Sequence, residues 1–155
     1  MHHFFLQQAV ALARQGMQAG SGGPFGAIIV RDKQIVGRGW NQVTSANDPT
    51  AHAEIVAIRD ACRQLKTFQL AGSVLYASCE PCPMCLAAIY WSRLSAVYFA
   101  SSGSEAAAAG FNDDFIRSEH LLPAADRTLK QTQHPLPDAA ALFDEWRRKL
   151  DKIPY

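Results

Sequence analysis

Between residues 79 and 85 the chain places Cys79, Cys82 and Cys85 among Pro81 and Pro83, directly after a short apolar run at residues 74–77. No other segment constrains the fold as much. The apolar run reads as a buried strand, Pro81 redirects the chain, and Pro83 suits the first position of a helix that continues to Trp91. A second apolar run at 96–100 follows. Strand, helix and strand in succession imply parallel strands covered by helices. The chain has four cysteines, three of them in this cluster. That is a poor disulfide framework, and clustered thiols point to a metal.

Upstream, Phe5, Ala9, Leu12, Ala13 and Met17 recur at helical spacing until Gly20, Gly22, Gly23 and Pro24 end the pattern. Apolar runs at 27–30 and 35–40 flank a turn at 31–34 and read as an antiparallel hairpin, with Asn41 at its far end. Asp48-Pro49 resembles an N-cap followed by proline, so a second helix is predicted to start there, with Ile55, Ile58, Cys62 and Leu65 as its buried stripe. Beyond residue 101 the pattern weakens to a small-residue stretch at 101–110 and a mixed region. A final helix carries Ala141, Leu142, Trp146 and Leu150. With 155 residues and no linker or repeat, a single domain is expected.

His52-Ala53-Glu54 opens the second helical pattern, as the cysteine cluster opens the third. Cys82 and Cys85 are three apart, so in a first helical turn their sulfurs share one face and can chelate together. The helix N-terminus and a metal both favour thiolate over thiol. His52 supplies a neutral third ligand, and three ligands leave the fourth tetrahedral position of a zinc ion open for water, as in catalytic sites. Residues two apart on a regular helix point roughly 200° from each other, so His52 and Glu54 converge only at a helix start. There Glu54 can take a proton from the water and pass it to a reacting group.

Cys79 forms a second, overlapping C-x-x-C with Cys82, which raises a four-ligand structural site; Pro81 argues that its side chain leaves the shared face. Cys62 reads as core. His120 and His134 lack neighbouring ligands, and His2 and His3 belong to no motif.

The formal charge is +1, and no basic stripe is interleaved with aromatics, which disfavours polynucleotide partners. Arg147 to Lys149 fall at a helix end, where cations complement the dipole. No apolar run matches a membrane span and no signal peptide opens the chain, so a cytoplasmic protein is expected.

The spacing H-x-E followed by P-C-x-x-C is the zinc deaminase signature. With Gly-Gly-Pro-Phe-Gly-Ala at 22–27, Asn41, the block at 47–54, the block at 78–85, Ala88-Ile89-Tyr90-Trp91, the segment at 109–116 and Tyr155, the chain resembles the cytidine and deoxycytidylate deaminase superfamily. Within it the small bacterial guanine deaminases are most similar. The resemblance implies an α/β/α sandwich around a mixed five-stranded sheet, one zinc per subunit on His52, Cys82 and Cys85, and Glu54 as proton shuttle. It also implies base contacts from Phe25, Asn41, Trp91 and Asp113, and from Tyr155 on a tail exchanged in a homodimer. The substrate is then a small purine base, guanine, and the reaction a step of purine catabolism. Asn112 departs from the acidic residue of the relatives, which unsettles the register of Asn112-Asp113-Asp114. Competing readings are a tRNA adenosine deaminase, a cytosine or cytidine deaminase, and a structural zinc module that would not need Glu54. Phe25 and Trp91 could also be core aromatics, and Asn41 a strand cap.

Overall fold

The computed structural model describes residues 1–154, and Tyr155 lies outside the described residues. Two compact units form, Met1–Asp114 and Phe115–Tyr155. The first begins with α1 (His2–Gln18), then the hairpin β1 (Gly26–Arg31) and β2 (Gln34–Trp40). The short α2 (Val43–Ala46), α3 (Ala53–Leu65), β3 (Val74–Cys79), α4 (Pro83–Trp91), β4 (Ala96–Ser101) and α5 (Gly103–Ala108) follow. Strand order is β2-β1-β3-β4. β1 runs antiparallel to both neighbours and β3 parallel to β4, as the hairpin and the strand–helix–strand pattern require. Asp32 and Lys33 close the hairpin with φ of 50° and 63°, the left-handed pair that matches strand twist.

Strand alternation sorts the core into two layers. Ile28, Val30 and Tyr76 pack with Phe5 of α1 on one face. Ala27, Ile29, Leu75 and Ala77 pack with Ala53, Ala57 and Ala61 of α3 and Ile89 of α4 on the other. The result is an α/β/α arrangement on a mixed sheet. α3 lies unusually close to β2 because Gly37 and Gly39 face it: a Cβ on Gly39 would stand 2.2 Å from the Ala53 carbonyl oxygen, and one on Gly37 2.5 Å from that of Ala57. Glycine weakens a strand interior, and here it gives the backbone of α3 room.

Two expectations need correction. The sheet has four strands and not five among the described residues. After β4 the chain turns into α5, whose Ser102–Glu105 capping box and run of alanines favour helix. Pro123, Pro135 and Pro137 then bracket a polar stretch without the alternating apolar pattern of a strand. The second helix starts at Ala53, not at Asp48-Pro49. Asp48 Oδ1 instead accepts from the Thr50 amide at 2.8 Å and the Thr50 hydroxyl at 2.7 Å, closing a local turn.

α6 (Asp114–Leu121) begins at the last residue of the first unit, and the second unit also contains α7 (Pro137–Arg148). None of its described residues is buried; Leu121, Leu142, Phe143 and Leu150 stand exposed. No helix among the described residues is long and apolar enough to cross a membrane.

Candidate active site

One end of the sheet gathers the functional residues because β1 runs against its neighbours. Gly26 at the start of β1 pairs with Trp40 at the end of β2, and Ala27 with Ala77 near the end of β3. The β1–β3 ladder opens beyond that rung, and the Ser78 hydroxyl accepts the Gly26 N–H at 3.0 Å in its place. The Asn41 N–H donates to the Phe25 carbonyl at 3.0 Å, and the Gln42 N–H to the carbonyl of Ala51 at 2.9 Å, one residue before His52. β2 and β1 are thereby tied to the start of α3.

His52 is the N-cap of α3 and Cys82 the N-cap of α4, each with extended φ/ψ. Cys85 lies in the first turn of α4, where Pro83 takes the position suited to its fixed φ. His52 Nδ1 stands 3.6 Å from Cys82 Sγ and 3.5 Å from Cys85 Sγ, and the three ligand atoms lie within 4.8 Å of one another. Glu54, in the first turn of α3, is only 8% exposed. Cys79 turns away: its thiol donates to the Ser102 carbonyl at 3.5 Å, and burial pushes its pKa up. Cys62 packs at the edge of the core, its thiol also raised by burial. His120 Nδ1 lies 2.8 Å from the Ile116 carbonyl oxygen, and His2 Nδ1 3.0 Å from the Tyr76 hydroxyl, neither in a ligand group.

The titration of the cluster follows from this geometry. Cys82 is held down to about 4, first by the hydrogen bond with Cys85 and next, against burial, by His52. That same hydrogen bond with Cys82, with burial added, drives Cys85 far above the thiol range. His52 is raised, mainly by its bond to Cys82 and in smaller part by the charges of Glu54 and Asp113. Burial raises Glu54. Protons shared among three close ligand atoms produce these opposed directions, and a dication between them would replace those protons and leave both sulfurs as thiolates.

The donor set fits zinc. Bonds of about 2.3 Å to sulfur and about 2.0 Å to nitrogen at tetrahedral angles put nitrogen and sulfur about 3.5 Å apart, which is the separation His52 makes with each cysteine.

Phe25 is half-buried, packs against the α3-side core and meets Phe111 edge-to-face with ring centroids 4.9 Å apart. Asn41 is 7% exposed, and its Oδ1 accepts from the Gly23 and Val43 amides at 3.1 and 3.3 Å. Trp91, the last residue of α4, is 67% exposed and lines an open groove with Ile55, Ile58, Arg59, Met84 and Ala88. Asp113 acts electrostatically on His52. Ser78 opens the block at 78–85 that carries the family resemblance, but its role as the bridge between β1 and β3 was not assigned from the sequence. Gly22, Gly23 and Phe111 lie in segments that carry the family resemblance, but their contacts depend on tertiary approach.

An α/β sandwich that brings one histidine, two cysteines and a buried glutamate together at two helix starts defines a class of protein, the metal-dependent hydrolytic enzyme. The chain belongs to the cytidine and deoxycytidylate deaminase family: its zinc-binding region matches residues 1–101. It is 51% identical to a guanine deaminase of Bacillus subtilis (strain 168) over 154 residues, covering 99% of each chain. The X-ray structure of guanine deaminase from Bacillus subtilis superposes with a TM-score of 0.97, covering 100% of this chain and 99% of that one. A tRNA-specific adenosine deaminase of Aquifex aeolicus (strain VF5) is 37% identical over 149 residues, 95% of this chain and 94% of the relative. A solved guanine deaminase from Nitrosomonas europaea is 30% identical with a TM-score of 0.66, covering 70% of this chain and 63% of that one.

Proposed function

We propose that this chain hydrolyses guanine to xanthine and ammonia, with one zinc per subunit on His52, Cys82 and Cys85. The observation that carries the substrate is the 51% identity to a guanine deaminase along 99% of the chain, which extends past the family's zinc-binding region. When bound, zinc lowers the pKa of a water toward neutrality and so supplies a nucleophile. Glu54 would take a proton from the attacking water as its oxygen bonds to the amino-bearing ring carbon, and would hand it to the adjacent ring nitrogen. It then carries the second proton to the amine, which leaves as ammonia while the carbonyl of xanthine forms. Burial suits Glu54 to both halves of the task, because a raised carboxyl pKa lies nearer the operating pH. Phe25 packs on the base, and Asn41, Trp91, Asp113 and Tyr155 complete its surroundings.

The active form is a homodimer with exchanged tails. The apolar side chains exposed in the second unit, Leu142, Phe143 and Trp146 among them, need a surface to cover, and a second copy offers one at low cost. With a formal charge of +1 the chain has little to draw phosphates, so a free base, rather than a nucleic acid or membrane, is the partner, and the cytoplasm the compartment. Adenosine in tRNA is the second reading, favoured by the 37% identity to the Aquifex aeolicus protein.

An ultraviolet assay of the zinc-loaded protein on guanine, adenine, cytosine, cytidine and a tRNA anticodon stem tests the assignment. Guanine is expected to be consumed fastest. Faster turnover of the anticodon stem would replace guanine with adenosine in tRNA.

A further inference from the structure

Two segments leave the same end of the sheet side by side. β3 and β4 run parallel and last pair at Cys79 and Ser101. One chain goes on through Glu80 and Pro81 to the ligand Cys82, the other through Ser102 into α5. The Glu80 N–H donates to the Ser101 carbonyl at 2.9 Å. The Cys79 thiol donates to the Ser102 carbonyl at 3.5 Å, and a Glu80 carboxylate oxygen accepts the Gly103 N–H at 3.0 Å. Gly103 is the first residue of α5, so Glu80 holds the helix by an amide that no helical carbonyl can reach.

The far end of α5 is defined as closely. Gly110, with φ of 96°, ends the helix. Its N–H donates to the Ala107 carbonyl and the Phe111 N–H to that of Ala106, both at 3.0 Å. This pair of bonds across a left-handed glycine is the Schellman stop, which fixes the direction of the residue after it. Phe111 is thereby set edge-to-face on Phe25, with ring centroids 4.9 Å apart. Between the two ends α5 has six residues, under two turns of helix. Its start is closed by the reciprocal bonds of Ser102 and Glu105, at 2.7 and 3.3 Å. A helix this short and capped at both ends moves as one piece.

Building on the zinc and guanine reading, we infer that Glu80 is a positioning residue that acts through α5 on both halves of the site. It steadies the loop to Cys82 on one side and the seat of Phe111 against Phe25 on the other. The metal ligand and the aromatic wall beside the base then form one mechanical unit. Cys79, which turns away from the ligand group, serves the same joint through Ser102.

Amide hydrogen exchange tests this strut without a substrate. Glu80→Ala should speed exchange at least about tenfold at Gly103 and also at Gly110 and Phe111. Glu80→Gln keeps an oxygen that accepts the Gly103 N–H and should stay near the wild type. Faster exchange at Gly103 alone, or a wild type already unprotected there, would overturn the inference. Zinc affinity, measured by competition with a chelator, should fall about 10- to 100-fold in Glu80→Ala. At saturating zinc its KM for guanine should stay raised about 2- to 10-fold, the worth of an edge-to-face aromatic contact. A KM that returns to the wild-type value once zinc is saturating refutes the coupling. Glu80→Gln should recover most of each loss, and a glutamine that fares no better than alanine refutes the hydrogen bond as the cause. Should Glu80→Ala fail to fold, Gly110→Ala approaches from the other end. Nothing lies within 4 Å of where its Cβ would stand, so it strains only the backbone of the stop. It should speed exchange at Gly103 and weaken zinc binding, and unchanged exchange there overturns the inference. A wild type that binds no zinc or leaves guanine untouched defeats the earlier assignment instead, and the exchange data still decide the strut.

Discussion

Gly39→Ala tests whether the close approach of α3 to β2 holds the site in place. The new methyl would sit 2.2 Å from the Ala53 carbonyl oxygen and 2.5 Å from the Ala57 nitrogen, both backbone atoms that no rotamer change can move. Ordinary contact needs about 1 Å more, so the start of α3 must retreat by that order, taking His52 and Glu54 with it. Overpacking of this kind costs about 1–3 kcal/mol, and each kcal/mol lowers Tm by about 2–4 °C in a chain of this length. A displacement of about 1 Å at a reacting group costs on the order of 10²-fold in rate. Thermal unfolding, zinc content and kcat/KM for guanine are the readouts. Gly72→Ala is the control. Gly72 has φ of 80° with no atom within 4 Å of where a Cβ would stand, and it precedes β3 at the opposite end of the sheet from the site. Its alanine adds about 1–2 kcal/mol of left-handed strain and should leave kcat/KM of the folded protein within about twofold. Full activity in Gly39→Ala, or equal activity losses in the two variants, would refute the argument.

Glu54→Gln should keep zinc and fold while kcat falls by about 10² to 10⁴; wild-type turnover by the zinc-loaded variant would remove the proton-shuttle role. In chelated protein at pH 6, iodoacetamide should label Cys82 ahead of Cys62 and Cys79. Cys82, lowered to about 4, is thiolate above that pH, whereas burial keeps the other two protonated. Preferential labelling of Cys79 by mass spectrometry would contradict the assignment. Glu54→Ala co-expressed with a chain truncated after Leu150, each inactive alone, should recover roughly a quarter of wild-type activity through one competent site in mixed dimers. No recovery would rule out tail exchange.

Local signals were legible where one residue type has one structural meaning. Pro83 marked the first turn of α4, and the three-residue spacing of Cys82 and Cys85 put both sulfurs at one point. Asp48-Pro49 misled because an aspartate that caps a helix and one that closes a turn use the same side-chain oxygen; here it serves Thr50. The four residues of α2 are too few to show a helical period. Gly37 and Gly39 alternate on one strand face, but their purpose depends on the alanines of α3, which tertiary packing brings opposite them. The capping role of Asn41 could not be resolved from sequence, because only the folded turn brings the Gly23 and Val43 amides to its Oδ1.

The dependence of guanine turnover on zinc tests the central claim most directly. Protein stripped by a chelator and titrated with zinc should gain guanine deaminase activity in proportion to bound metal, reach a plateau at about one zinc per subunit, and produce xanthine and ammonia in equal amounts. Guanine turnover that persists in zinc-free protein, or zinc-saturated protein that leaves guanine untouched, would contradict the account.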